Sequence, residues 1–426
     1  MKLNHLLTRF ALCFLVATVF WALPQRAYSQ CGTTAATGSI SWNTSWCDEF
    51  NGAANTAISS ANWTYDTGAG GWGNNELETY CAPTSNTSPC STSTPNAYID
   101  GSGHLAIKVY SVGTAYTSAR LKTQGLQTFH SGRVEASIEI PSHAGLWPAF
   151  WMLGSQARVS WPTVGESDIL ENWPTTSNIP GPGATGNRST IHTKSTGGSG
   201  IGGAYTFPSG QQVNTAFHIY GQIWSANMIQ FYVDDPTRPF FVVTASDLPA
   251  GDTWPFSSSA DPFFIIMNMA VGGTLGAPTD SLTGSQAPML VDYVRQYTPS
   301  AIPPPALSTT GNITVRAGAT TGNTTGLNIN SSTGNGRVTF SCTTTAPKAS
   351  CAVTSTDALN RHTVDFSSTG SQTATVTVTT TANTQKGGHS NGTAPGSYSV
   401  TVNAFTESSS DATVPSSTTN FTLTVN

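Results

Sequence analysis

The feature that most constrains this chain is a two-residue alternation of apolar and polar side chains, repeated in short runs. In "GRVEASIEI", Val134, Ala136, Ile138 and Ile140 fall on one face and Glu135, Ser137 and Glu139 on the other. This is the signature of a strand with one buried face. "HLAIKVY", "FHIYGQIWS", "MIQFYVDD", "PFFIIMNMAVGG" and "MLVDYVRQY" repeat it, and no stretch offers an amphipathic helix of ordinary length. Only 9% of the 426 residues are charged, and 41 are glycine. Such a chain is poor in helix formers and rich in turn formers, so an all-β fold of face-to-face antiparallel sheets is expected.

A composition break at "TPSAIPPPALSTT" divides the chain. Of the 11 tryptophans none lies beyond Trp254, and Pro303 to Pro305 form a stiff spacer without backbone donors. The expected organisation is a large β-sandwich over 31–298, a linker over 299–306 and a smaller β-sandwich over 307–426. In the last, "NITVRAG", "GRVTFSC", "HTVDFSS", "TATVTVTTT", "GSYSVTVNAF" and "NFTLTVN" suggest roughly seven strands of an immunoglobulin-like sandwich. Its few aromatics all sit inside strand patterns, so a spacer or adhesion role is favoured over glycan binding.

The first 29 residues read as an export signal: Lys2, His5 and Arg9 precede an apolar run to Leu23 and a small-residue cleavage site near Ser29. The run is shorter than the ~20 residues a membrane span needs. Export to the medium, periplasm or cell surface is therefore expected, with no later span. Six cysteines remain after Cys13 leaves, and local pairing of Cys31 with Cys47, Cys81 with Cys90 and Cys342 with Cys351 closes the shortest loops. Zinc is the weaker reading, because no C-x-x-C occurs. A formal net charge of -5 offers no basic patch for nucleic acid. A monomer is expected.

One stretch breaks the scarcity of charge: "VGESDILENW" carries Glu166, Asp168 and Glu171 within six positions. In a regular strand Glu166 and Asp168 share a face and Glu171 points the other way. A β-bulge at Ile169 and Leu170 would return Glu171 to its companions. Three crowded carboxylates cannot all ionise easily, so one keeps a proton and another stays anionic, as cleavage of a glycosidic bond requires. A metal site or a solvated edge remains open on this chemistry alone.

The same stretch, preceded by "GLWPAFWMLG" and accompanied by "DEFNG", "GWGNNELETY", "TSARLKTQG", "SGRVEASIEIP", "TIHTK" and "VDYVRQY", resembles glycoside hydrolase family 16, in particular its laminarinase-like members. The resemblance implies a jelly-roll β-sandwich with a concave substrate cleft and retaining hydrolysis of a polysaccharide. It implies Glu166 as nucleophile, Glu171 as acid/base and Asp168 as their helper. Trp147, Trp151, Asn75, Arg120, His192 and Trp173 would contact sugar, with Trp161 and Trp72 as further candidates. No cofactor is implied for catalysis, but a structural calcium near Glu49 and Asp292 is. Ser167 departs from the pattern, standing where an aliphatic residue is usual, and its hydroxyl then needs a partner. The expected activity is endo-β-1,3-glucanase, extending to mixed-linkage β-glucan. The alternatives are a galactan substrate, transglycosylation, or glucan binding without catalysis.

Overall fold

The computed structural model describes residues 31–426 except 32–34, 38–39, 177–178, 258–261, 277–281, 283–285, 335, 367, 387–388 and 411–412. The expected export signal lies outside the described residues. Among these residues the only α-helix is the four-residue Gly273–Gly276, beside three 3-10 turns. All else that is regular is strand, and among the described residues no helix is long and apolar enough to cross a membrane.

Two sheets build the larger sandwich. The front sheet runs, edge to edge, through Ile201–Thr206, Gly186–His192, Glu166–Glu171, Leu146–Gly154, Phe263–Val271, Arg120–Lys122 and Thr64–Asp66. The back sheet has at its centre Ile40–Asp48, Met289–Pro299, Gly132–Glu139, His218–Ser225 and Met228–Val233. Strands adjacent in either sheet are antiparallel wherever these named strands pair. The core between the sheets takes one face of each strand: Val134, Ala136 and Ile138 from the back, Phe150, Met152, Ile169 and Leu170 from the front. Burying each such large side chain is worth about 1.5–3 kcal/mol before chain entropy is charged against it.

Pro148 would be a poor central-strand residue by composition, yet it lies within Leu146–Gly154 between two partners. Its carbonyl accepts from the Asn172 N–H, on the side where the neighbouring strand has already ended at Glu171. The donor that proline lacks would point to that same side, so no ladder bond is lost.

The three disulfides are the local ones, with Cα–Cα separations of 5.6, 5.7 and 5.6 Å for Cys31–Cys47, Cys81–Cys90 and Cys342–Cys351. Beyond Pro299, a four-stranded and a five-stranded sheet enclose a second core that includes Leu327, Ile329, Val338, Val376 and Val402. Three of its strands, Ala306–Thr309, Thr324–Ser331 and Ala349–Thr354, follow the same alternation in burial but carry few large apolar side chains on their inward face. Ile313–Val315 joins the edge in parallel with Ser417–Val425.

Candidate active site

The expected bulge is present. Against Leu146–Gly154, Leu170 pairs with Phe150 and Asp168 with Trp151, so Ile169 is the extra residue. On the other side Asp168 pairs with Thr190 and Glu171 with Arg188. Arg188, Thr190 and His192 alternate along a regular strand, so they share a face, and so do the acids opposite them: Glu171, Asp168 and Glu166. Ile169 and Leu170 both enter the core, which anchors the irregularity by burial. Apolar anchoring of two consecutive residues is what a bulge permits and a regular strand does not.

Each acid meets few donors. Trp147 Nε1 donates to Glu171 Oε1 at 3.0 Å, and Trp161 Nε1 donates to Glu166 Oε2 at 3.0 Å. His192 Nε2 lies 3.1 Å from Asp168 Oδ2 and 3.8 Å from Glu166 Oε1, while its Nδ1 is 2.7 Å from the Gly197 carbonyl. Both ring nitrogens thus face acceptors, an arrangement that holds the ring as imidazolium. Burial opposes that charge, but the Asp168 hydrogen bond and the charges of Asp168 and Glu166 prevail and push the His192 pKa up to about 10.

Both glutamates hold protons more tightly than usual. Burial is the largest cause for each and the charge of Asp168 the second; Glu171 reaches about 8, and Glu166 is displaced well upward. The His192 charge pulls both back, as do Trp147 and Arg188 at Glu171 and Arg120 at Glu166. Repulsion between the two glutamates is therefore a lesser cause than the sequence suggests, since loss of water outweighs it. Glu166, Asp168 and His192 also bring ligand atoms within 4.8 Å of one another. A cation there would have to displace the proton His192 directs at Asp168.

Aromatic walls flank the acids. Trp161, 48% exposed, leans over His192 with ring centroids 5.9 Å apart. Arg120, ion-paired to Asp66 at 3.0 Å, sits over the rings of Trp151 at 4.8 Å and Trp72 at 5.1 Å. Trp151 is aimed by Asn268, which accepts its N–H at 2.8 Å and itself donates to Tyr80 OH at 3.1 Å. Tyr80 in turn donates to Glu76 Oε2 at 2.9 Å. The sequence reading missed Asn268 and Arg188. Asn268 is the single polar residue in "FFIIMNMAV", and Arg188 lies in phase with His192, so a signal existed for each.

Other expected contacts fare differently. Asn75 is exposed in the glycine-rich turn, with φ of 58°. Trp173 is only 4% exposed, its N–H taken by the Ile179 carbonyl at 2.7 Å and its backbone covered by Gly181. It anchors the loop that follows the carboxylate strand, and this placement does not support a sugar contact. Ser167 finds its partner across the sandwich: Oγ donates to Gln222 Oε1 at 2.6 Å, and both residues are buried. Glu49 gives both oxygens to Arg295, at 2.7 Å each. That pairing does not fit a calcium ligand, because a cation at Glu49 would have to expel a guanidinium already held in bidentate geometry.

Comparison with known proteins agrees with this geometry. The model of "Glycosyl hydrolases family 16" matches residues 85–293. The chain is 32% identical over 309 residues to the beta-glucanase of Rhodothermus marinus, covering 70% of this chain and 96% of that protein. It is 32% identical over 296 residues to glucan endo-1,3-beta-glucosidase A1 of Niallia circulans, covering 62% of this chain but only 39% of that longer protein. Among solved structures, the endo-beta-1,3-glucanase of Pyrococcus furiosus superposes with a TM-score of 0.53 at 34% identity, over 63% of this chain and 99% of that one. With the bulged trio, the two-sheet sandwich and these matches together, the chain belongs to glycosyl hydrolase family 16 and is a glycosidase.

Proposed function

We propose that the protein is a retaining endo-β-1,3-glucanase, acting on laminarin-type and mixed-linkage β-glucan. The observation that carries this reading is the bulge, which sets Glu171 on the same face as Glu166 and Asp168. The substrate follows from the glucanases to which the chain is similar, and from aromatic walls suited to the C–H faces of glucose. Export is supported by the first 29 residues.

Glu166, as carboxylate, attacks the anomeric carbon while Glu171 delivers its proton to the glycosidic oxygen, so that bond breaks and a glycosyl ester forms. Glu171, now an anion, takes a proton from water; the water oxygen attacks the same carbon and frees Glu166. Two inversions give net retention. A Glu171 pKa near 8 keeps the acid protonated at neutral pH. Glu166 must shed its proton to attack, and the His192 cation, 3.8 Å from its Oε1, works toward that against burial and the charge of Asp168, which on balance still raise its proton affinity. Asp168 links the two, orienting His192 and raising the proton affinity of Glu171.

Incubating the exported form of the full chain with laminarin should release reducing ends whose first-formed anomer keeps the β configuration, and Glu166→Gln should release about a thousandfold less. Inverted product would refute the roles. Turnover of agarose or carrageenan in place of laminarin would refute the substrate.

A further inference from the structure

On Met228–Val233 of the back sheet, Ile229, Phe231 and Val233 enter the core, so Gln230 and Tyr232 point outward. An outer face in contact with water would leave them wet, yet they are 2% and 1% exposed. Neighbours on the sheet itself enclose part of Tyr232, and further residues that cover this face come from beyond Pro299. Ile302 of the linker packs on the outward cluster of Ile40, Trp42, Ile223, Tyr232 and Tyr297. Both ends of the Gln230 amide are used across the boundary: Nε2 donates to Glu407 Oε1 at 2.7 Å, and Oε1 accepts from Arg337 Nε at 3.2 Å. The Arg337 backbone N–H closes the triangle on Glu407 Oε1 at 2.9 Å. Nearby, Asn360 donates to the Val242 carbonyl at 3.1 Å and to Asp247 Oδ2 at 2.6 Å.

We propose that the C-terminal sandwich is a permanently docked cover of the back sheet, its partner being the glycosidase sandwich of its own chain, and not an arm that carries glycan. Three observations support this. First, Gln230, Arg337 and Glu407 are all buried, and both bonds of the Gln230 amide cross the boundary, so separation would need water to replace the two at once. Second, the connection over 300–305 is short enough to hold the two faces at millimolar effective concentration, where even a weak interface stays closed. Third, a sugar platform needs open aromatic faces, but Phe340, Phe366, Phe405 and Phe421 are buried and Tyr398 is half-buried with its hydroxyl on the Ala394 carbonyl. The cover also lies on the face of the sandwich opposite the acids, since Ser167 and Gln222 meet in the core between them. A glucan held in the cleft therefore runs on the far side from the cover.

Ala226 gives a direct readout. It occupies the turn joining His218–Ser225 to Met228–Val233, where an amide of an uncovered sandwich meets water, but here it donates to the Ser409 carbonyl at 2.8 Å. In hydrogen exchange of the unaltered full chain, its amide should exchange about a hundredfold more slowly than that of Gly113, which lies in an exposed turn with no such bond. Equal rates at the two turns would overturn the proposal. The double change Arg337→Ala with Glu407→Ala should speed Ala226 about tenfold or more while the amides of Phe231 in the first core and Val376 in the second both stay protected, separating undocking from unfolding of either sandwich. Unchanged Ala226 protection in that variant would overturn the part assigned to the polar triangle. Tyr398→Ala should leave retention on insoluble β-1,3-glucan unchanged, and lost retention would show that the second sandwich carries glycan after all.

Discussion

Glu135 on the back sheet and Glu171 on the front sheet are two acids shielded from water within one sandwich, and their neighbours differ sharply. Arg133 reaches Glu135 with Nε at 3.0 Å and Nη2 at 3.2 Å, and the hydroxyls of Tyr232, Tyr293 and Tyr297 add to it. Glu171 receives one indole N–H from Trp147, and the charge of Asp168 outweighs the opposing charges of His192 and Arg188. The first carboxylate is wrapped in donors that suit an anion; the second is left short of them, and its proton is the compensation. Burial alone therefore does not mark a chemical acid. The donor count around it does.

That contrast predicts opposite phenotypes for the same substitution. Glu171→Gln should lower kcat/KM by about a hundredfold or more, with the fold retained, because it removes the transferable proton. In the unaltered enzyme kcat/KM should fall above pH about 8, as Glu171 loses that proton, by up to tenfold per pH unit. Glu135→Gln should leave the pH profile in place and instead cost about 3 kcal/mol of stability in denaturant titration, since Arg133 loses its anion within the protein. Unchanged stability would mean the tyrosines and Arg133 are indifferent to the charge, and the contrast would fail.

The titration should also appear in thermal stability. The folded pKa of Glu171 lies above its ordinary value of 4.5, so its proton stabilises the fold fully below about pH 4.5, and that contribution is lost as pH rises through about 8. His192 adds a loss in the same direction between about pH 6.5 and 10. A melting temperature that rises across pH 6 to 9 would contradict both signs. A smaller effect should follow from Ser167→Ala, which leaves the buried Gln222 oxygen without its donor and costs about 1–3 kcal/mol. Pairing it with Gln222→Leu should recover much of that loss. Additive losses in the double variant would show that the two side chains do not act together.

Much of this was legible in the residues. Period two located the strands of the larger sandwich, and the six-residue spacing of Glu166 and Glu171 located the bulge, because side-chain direction in a strand follows from counting. Proximity along the chain found the disulfides. What counting cannot supply is the far side of a contact. Alternation in "MIQFYVDD" says that Gln230 and Tyr232 face outward, but not that Arg337 and Ile302, on distant parts of the chain, come to cover them. It leaves Trp173 indistinguishable from a cleft residue until the loop carrying Ile179 folds over it. It also sees the crowding of like charges but not the loss of water, so it ranks repulsion above burial where the structure ranks them the other way.

The extra residue at Ile169 has a consequence for how this site can change by mutation. Substitutions alter what stands at a position, whereas the direction in which Glu171 points is set by the residue count together with the bulge that absorbs the odd residue. Losing the codon for Ile169 would therefore leave Asp168, Leu170 and Glu171 in plain alternation, with the acid still toward the cleft and Leu170 still inward. What such a loss would remove is one of two consecutive core anchors. The face of the acid is thus compatible with either spacing, provided the bulge and the extra residue come and go together.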